Sequence, residues 1–81
     1  METRVAIIAI LVKDRDSSCK INEILHEYGE YIIGRLGLPY KQKGVHIISI
    51  AIDAPQDTVA ALSGKIGALK DVSVQTLYSK I

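Results

Sequence analysis

The sequence has a single cysteine, no excess of charge and no apolar run long enough for a membrane, and each shortage excludes a class of protein. With Cys19 alone, an internal disulfide is impossible, as is typical of proteins from a reducing compartment. Ten basic residues against nine acidic ones argue against a general nucleic-acid binder or a protein attracted to anionic membranes. The apolar run at residues 5–12 is too short to span a bilayer, which takes about 20 residues.

The N-terminal segment also lacks the small-residue cleavage site of a signal peptide, and charged residues follow its apolar run directly at 13–16. We therefore expect a cytoplasmic protein. No low-complexity segment or linker interrupts the chain, so we predict one domain over residues 1–81. A chain of this size buries only about two-thirds of its unfolded surface, and association between copies would add to its limited stability.

Two stretches of the chain, residues 5–12 and 45–52, are apolar at nearly every position. A strand sends alternate side chains to opposite faces, so both stretches need cover above and below. A chain of 81 residues has few elements with which to build two covering layers. We therefore predict a homo-oligomer, either a dimer or a tetramer.

The periodicity of the sequence predicts the element order βαββαβ. Strands are expected at about residues 4–13, 31–38, 45–52 and 72–78. The first helix is expected near 15–29, with Asp14 and Asp16 as candidate N-caps and Gly29 as the stop. The second helix opens around 54–57, with a proline in its first turn. The predicted buried stripes are Ile21, Ile24, Leu25 and Tyr28 in the first helix and Val59, Leu62, Ile66 and Leu69 in the second.

Two right-handed βαβ crossovers fold most simply into an α+β, ferredoxin-like sandwich, with a four-stranded antiparallel sheet and both helices on one face. The two apolar stretches then form the central strands, and the sheet face without helices is the predicted assembly surface. Glycines in the second helix are expected to allow close approach to a neighbour. The predicted packing and interface residues are Ile8, Ile10, Ile48, Ile50, Gly64 and Gly67.

The residues that could bind a metal or act in catalysis are dispersed along the sequence. Cys19 and His26 are separated by about 10 Å of helical rise, and His46 belongs to another element. Cys19 therefore also lacks a nearby base. Glu23 and Glu27 are expected to be a solvated pair. We predict no metal, no cofactor and no enzymatic activity.

The local excess of positive charge lies in residues 35–43, because no acidic residue occurs between Glu30 and Asp53. Guanidinium and exposed backbone amides suit a carboxylate or phosphate, so this segment is a candidate site for a small anionic effector. A solvated hairpin tip is the alternative. The predicted effector site consists of Arg35, Gly37, Tyr40, Lys41 and Lys43.

The segment Ser63-Gly64-Lys65-Ile66-Gly67 contains the Gly-x-x-Gly pattern of a KH domain. A KH domain needs a helix on each side of that loop, and too few residues follow Gly67 to form one. It is not a phosphate loop either, since it does not follow a strand. An RNA-binding KH-like module is the weakest alternative.

Several segments together resemble one known family, and they cover essentially the whole chain. They are Asp-Arg at 14–15, Asn-Glu-Ile-Leu-His-Glu-Tyr-Gly at 22–29, Gly-Arg-Leu-Gly-Leu-Pro-Tyr at 34–40, Ala-Leu-Ser-Gly-Lys-Ile-Gly at 61–67 and Val-Ser-Val at 72–74. This set is similar to the small proposed regulators of the iron-only hydrogenase system. The resemblance implies an ACT-like regulatory domain, close to the C-terminal domain of the nickel-responsive repressor, and oligomeric assembly.

The sequence departs from these relatives in two places. Residues 34–48 offer only His46 as a nickel ligand, so nickel sensing does not carry over, and residues 13–18 lack the glycine of many ligand-binding ACT domains. Every element is used by the βαββαβ unit, so direct nucleic-acid binding is not expected. We predict a regulatory domain that binds a small anionic effector or a hydrogenase-system protein. The alternative is a structural protein–protein interaction module without an effector.

Overall fold

The computed structural model describes residues 2–80, and it confirms the predicted element order. Short 3-10 turns precede and follow the second strand, at Gly29–Tyr31 and Lys41–Lys43. No helix among the described residues is long and apolar enough to cross a membrane. The main elements are β1 (Arg4–Val12), α1 (Arg15–Glu27), β2 (Ile32–Tyr40), β3 (Val45–Ala54), α2 (Gln56–Gly67) and β4 (Val72–Tyr78).

The four strands form one antiparallel sheet in the order β2-β3-β1-β4, with both helices packed on one face. This is the predicted α+β, ferredoxin-like architecture. The two doubly apolar stretches are the central strands β1 and β3, as expected. The edge strands are β2, which carries a bulge between Ile32 and Gly34, and β4.

The first helix begins as predicted and ends early. The Asp14 carboxylate caps it by accepting a hydrogen bond of 3.0 Å from the Ser17 backbone N–H. The Ser17 hydroxyl is buried and donates to the carbonyl oxygen of Lys70 at 2.7 Å, which ties the helix start to the loop before β4. The helix ends at Glu27, two residues before the expected stop, because Gly29–Tyr31 tightens into a 3-10 turn.

The β2–β3 hairpin is longer than predicted, since β2 pairs with β3 as far as Tyr40 opposite Val45. Pro39 is tolerated within it because β2 is an edge strand. The chain reverses at Lys41–Lys43, and Gly44 completes the turn at a φ of 61°, a left-handed conformation that suits glycine.

The hydrophobic core lies between the helices and one face of the sheet. Both predicted helix stripes point into it, with Ile21 and Leu25 of α1 and Leu62 and Ile66 of α2 all at most 1% exposed. The sheet contributes Ala6, Ile8, Ile10 and Val12 from β1 and Ile48, Ile50, Ile52 and Ala54 from β3.

The predicted packing and interface residues lie in two different places in the structure. Ile8, Ile10, Ile48 and Ile50 pack in the helix-covered core, at most 1% exposed, and so they present no surface for a contact between copies. Gly64 and Gly67 are exposed on α2, and a Cβ atom added at either would have no neighbouring atom within 4 Å. Glycine is therefore not required there for close packing within the chain.

Candidate functional site

The sheet face opposite the helices is the first candidate site, and we call it the open face. In β1 the even-numbered side chains are buried under the helices, so the odd-numbered ones lie on the open face. Antiparallel pairing continues this division across the sheet. Ile7 lies opposite Ala51 on β3 and opposite Leu77 on β4, and Leu36 of β2 lies opposite Ser49.

The open face is largely apolar and solvent-exposed. Alternation places only one charged strand residue on it among the described strands, Asp53 at the end of β3. Ser49, Ser73 and Gln75 are neutral polar residues of the same face. Its large apolar side chains are Val5, Ile7 and Leu11 of β1, Leu36, Leu38 and Tyr40 of β2 and Leu77 of β4, each between 44% and 68% exposed.

The second candidate site is a cavity of about 310 Å³ at one end of the sheet, which we call the basic cavity. It lies where the chain leaves β1 and enters α1, beside the turn of the β2–β3 hairpin. Three cationic side chains line it, those of Lys13, Arg15 and Lys41. The other lining residues are Val12, Asp14, Ser18, Pro39, Tyr40, Gly44, Val45 and His46.

Local contacts hold the walls of the basic cavity together. Val12 at the end of β1 pairs with His46 at the start of β3, which brings α1 close to the hairpin. Ser18 in the first turns of α1 then lies with its Oγ 3.2 Å from Nδ1 of His46. Gly37 lies beside the opposite edge of the ring, where a Cβ atom added at Gly37 would be in van der Waals contact with Nε2 of His46, at 3.4 Å.

The electrostatics of the basic cavity favour an anion. Asp14 is the only acidic residue that lines it, and one of its carboxylate oxygens already accepts the backbone N–H of Ser17. The three cationic groups of the lining are exposed. A carboxylate or phosphate placed between them would gain charge-assisted hydrogen bonds.

The predicted effector residues do not all come together. Tyr40 and Lys41 line the basic cavity, whereas Arg35, Gly37 and Lys43 do not. The Arg35 guanidinium instead donates a hydrogen bond of 2.8 Å to Oδ1 of Asn22, which links the edge strand β2 to α1.

Sequence reasoning missed Lys13, Arg15, Ser18 and His46 as cavity residues. The antiparallel order of β1 and β3 was the available signal, because it places the end of one strand beside the start of the other. Within residues 2–80, no group of three or more His, Cys, Asp and Glu side chains is arranged to hold a metal ion.

The Gly-Lys-Ile-Gly segment is part of a helix rather than a loop. Residues 64–67 form the last turn of α2, and the chain then enters β4 without a further helix. The Lys65 ammonium lies 5.0 Å from the centre of the Tyr28 ring, and the Tyr28 hydroxyl raises the pKa of Lys65. This arrangement differs from the helix–loop–helix setting of a KH Gly-x-x-Gly loop.

Comparison with solved structures finds a relative over the full chain. The structure of the uncharacterized protein TM1266 from Thermotoga maritima is 35% identical in sequence to this chain, with a TM-score of 0.94. The similarity covers 98% of this chain and 100% of that one. No curated protein sequence matches.

Two more distant structures share only the fold. A formyltetrahydrofolate deformylase from Pseudomonas putida KT2440 is 14% identical with a TM-score of 0.66, over 90% of this chain and 28% of the enzyme. The de novo designed protein Foldit4 is 17% identical with a TM-score of 0.59, over 99% of both chains. At these identities neither similarity carries information about function.

A family profile matches most of the sequence. Residues 4–76 match the TM1266-like family, described as a proposed iron-only hydrogenase system regulator. This match covers all five segments on which the sequence resemblance rested, and the full-length structural similarity agrees with it. The chain therefore belongs to the TM1266-like family of proposed regulators of the iron-only hydrogenase system.

Proposed function

We propose that this protein is a non-enzymatic regulatory domain that self-associates through the open face and binds a small anionic effector in the basic cavity. The observation that carries the proposal is the exposure of seven large apolar side chains on one sheet face. Monomeric proteins rarely expose a contiguous apolar patch of more than a few hundred Å². Family membership supports a regulatory role rather than an enzymatic one.

The size of the open face is adequate for a stable contact between two copies. Four strands about 4.8 Å apart, with a rise of about 3.3 Å per residue over nine residues, present roughly 20 by 30 Å. Two such faces in contact would bury about 1,200 Å², the lower end of the range for specific interfaces. The near absence of charge on the face removes the desolvation cost that would oppose burial.

The effector half of the proposal rests on the basic cavity. Its volume lies at the lower end of the range of small-molecule sites, and it combines apolar walls with a few convergent polar groups. Tyr40 belongs both to the cavity and to the open face, so a ligand would sit beside the proposed contact between copies.

Light scattering coupled to size exclusion tests the assembly, using Ile7→Lys and a matched control, Ala60→Lys. Ile7 is central on the open face, while Ala60 is exposed on α2. We expect the wild type and Ala60→Lys to elute as the same oligomer and Ile7→Lys as a folded monomer. A monomeric wild type, or an Ile7→Lys variant that keeps the wild-type mass, would contradict self-association through this face.

A thermal-shift screen of small anions tests the effector half. We expect at least one anion to raise the unfolding temperature, and Lys41→Gln to weaken that shift while Lys20→Gln does not. Lys41 lines the basic cavity, whereas Lys20 is exposed on α1 away from it. If no anion stabilises the protein and a hydrogenase-system protein is captured stoichiometrically by the open face, the chain is an interaction module without an effector.

A further inference from the structure

Residues of two chemical kinds line the basic cavity. Lys13 and Arg15, from the β1–α1 connection, and Lys41, from the hairpin turn, supply positive charge. The apolar and aromatic residues of the lining are Val12, Pro39, Tyr40 and Val45. A bare inorganic anion would use only the cationic residues, so the lining suits a ligand with both a negative group and an apolar part.

The lining offers a ligand cation a single acidic side chain against three cationic ones. Asp14 is its only acid, and the Asp14 carboxylate is engaged by the first turn of α1 at 3.0 Å. An ammonium group in the cavity would therefore face three cations and a carboxylate whose position is fixed by the helix cap. A zwitterionic amino acid is disfavoured, and the same skeleton without its ammonium group is favoured.

The Ser18–His46 pair offers a polar contact for such a ligand. When the His46 proton is on Nδ1, the ring donates to Ser18 Oγ across the 3.2 Å contact. The Ser18 hydroxyl is then free to donate its own proton to a ligand oxygen. A keto or hydroxy oxygen beside the carboxylate would use this donor.

The volume limits the ligand to a small molecule. If each non-hydrogen atom occupies about the 30 Å³ of a water molecule in the liquid, 310 Å³ holds roughly ten such atoms. A carboxylate with a branched four-carbon chain and one keto oxygen has about this size.

We infer that the basic cavity binds a small carboxylate that carries an apolar chain and no ammonium group, with a 2-oxo acid as the best fit. This inference rests on the effector half of the proposed function. Lys13, Arg15 and Lys41 hold the carboxylate, Ser18 donates to the neighbouring oxygen, and the apolar and aromatic residues of the lining receive the chain. His46 positions the Ser18 hydroxyl.

A matched pair of ligands tests the inference on the full chain. 4-Methyl-2-oxopentanoate and leucine share a carbon skeleton and differ in a keto oxygen against an ammonium group. In amide NMR titrations we expect saturable shifts around residues 13–18 and 39–46 with the oxo acid, and binding of leucine about tenfold weaker or more, a difference of about 1.4 kcal/mol. Ser18→Ala should weaken binding of the oxo acid and leave binding of inorganic phosphate unchanged, while Lys41→Gln should weaken binding of both.

The other outcomes distinguish failure of this inference from failure of the effector half of the proposed function. Equal binding of leucine, or shifts from the oxo acid at other residues, overturns the inference and leaves the anion site standing. Binding of phosphate, but not of the oxo acid, at residues 13–18 and 39–46 would likewise overturn the inference and leave the anion site standing. If none of the three ligands shifts these amides, and the anion screen is also silent, both the inference and the effector half of the proposed function are wrong.

Discussion

Neighbouring isoleucines on opposite faces of β1 provide the sharpest test of how this sheet is stabilised. Ile8 is fully buried under the helices, and Ile7 is 45% exposed on the open face. We expect Ile8→Ala to lower the free energy of unfolding by about 3–4 kcal/mol. Loss of three buried carbons costs about 2.5 kcal/mol in transfer free energy, and the cavity left behind adds the rest.

This loss is a large part of the total. A domain of 81 residues has an unfolding free energy of about 4–12 kcal/mol. The same substitution at Ile7 removes atoms that are half exposed in the single chain, so its intrinsic cost is about 1 kcal/mol. Any further cost must come from the contact between copies.

Urea unfolding at two protein concentrations separates the two contributions. For an oligomer that unfolds to single chains, the apparent stability rises by about 1.4 kcal/mol for each tenfold increase in concentration of a dimer. We expect Ile8→Ala to keep this concentration dependence and Ile7→Ala to reduce it. An equal concentration dependence in the two variants, or a wild-type stability that does not change with concentration, would contradict this division between core and contact.

Substitutions at single contacts are tested by the free energy of unfolding from chemical denaturation, except where another measurement is named. Gly64→Ala should stabilise the protein by about 0.5–1 kcal/mol because the added Cβ atom meets open space in a helix. Gly44→Ala should destabilise it by about 1 kcal/mol because residue 44 has a φ of 61°. Changes of the opposite sign would contradict the packing described. Ser17→Ala should cost about 1–3 kcal/mol by leaving the Lys70 carbonyl without its donor, and a neutral result would show that this contact is dispensable. Arg35→Ala should lower the free energy of unfolding by at most about 1 kcal/mol and speed amide exchange in β2. It should leave the affinity for anions unchanged. Weaker anion binding would show that Arg35 contributes to the effector site.

The fold was predictable because its sequence signals come from short-range residue spacing and from a general rule on strand crossovers. The Asp14 cap, the helix stripes and the alternation of β4 each follow from spacing in the sequence, and the right-handed crossover rule then leaves one simple topology. The faces of the central strands could not be assigned in this way. Residues 5–12 are apolar at even and odd positions alike, so only the packed helices decide that Ile8 is buried and Ile7 exposed.

The basic cavity was only half predictable for a related reason. Tyr40 and Lys41 stand out as part of a basic hairpin, but Lys13 and Arg15 join them through the register that pairs Val12 with His46. That register joins two strands that are separated in the chain by α1 and β2, so no local turn in the sequence reveals it. The bulge in β2 precedes Arg35, whose guanidinium donates to Asn22 on α1.

The central claim is that the open face joins copies of this chain, and intermolecular NOEs in a mixture of isotope-labelled and unlabelled protein test it most directly. We expect NOEs between methyl groups of one copy and those of another among Ile7, Leu36 and Leu77, which lie together on that face. Intermolecular NOEs confined to the helices, or none at concentrations where the wild type sediments as a single chain, would contradict it.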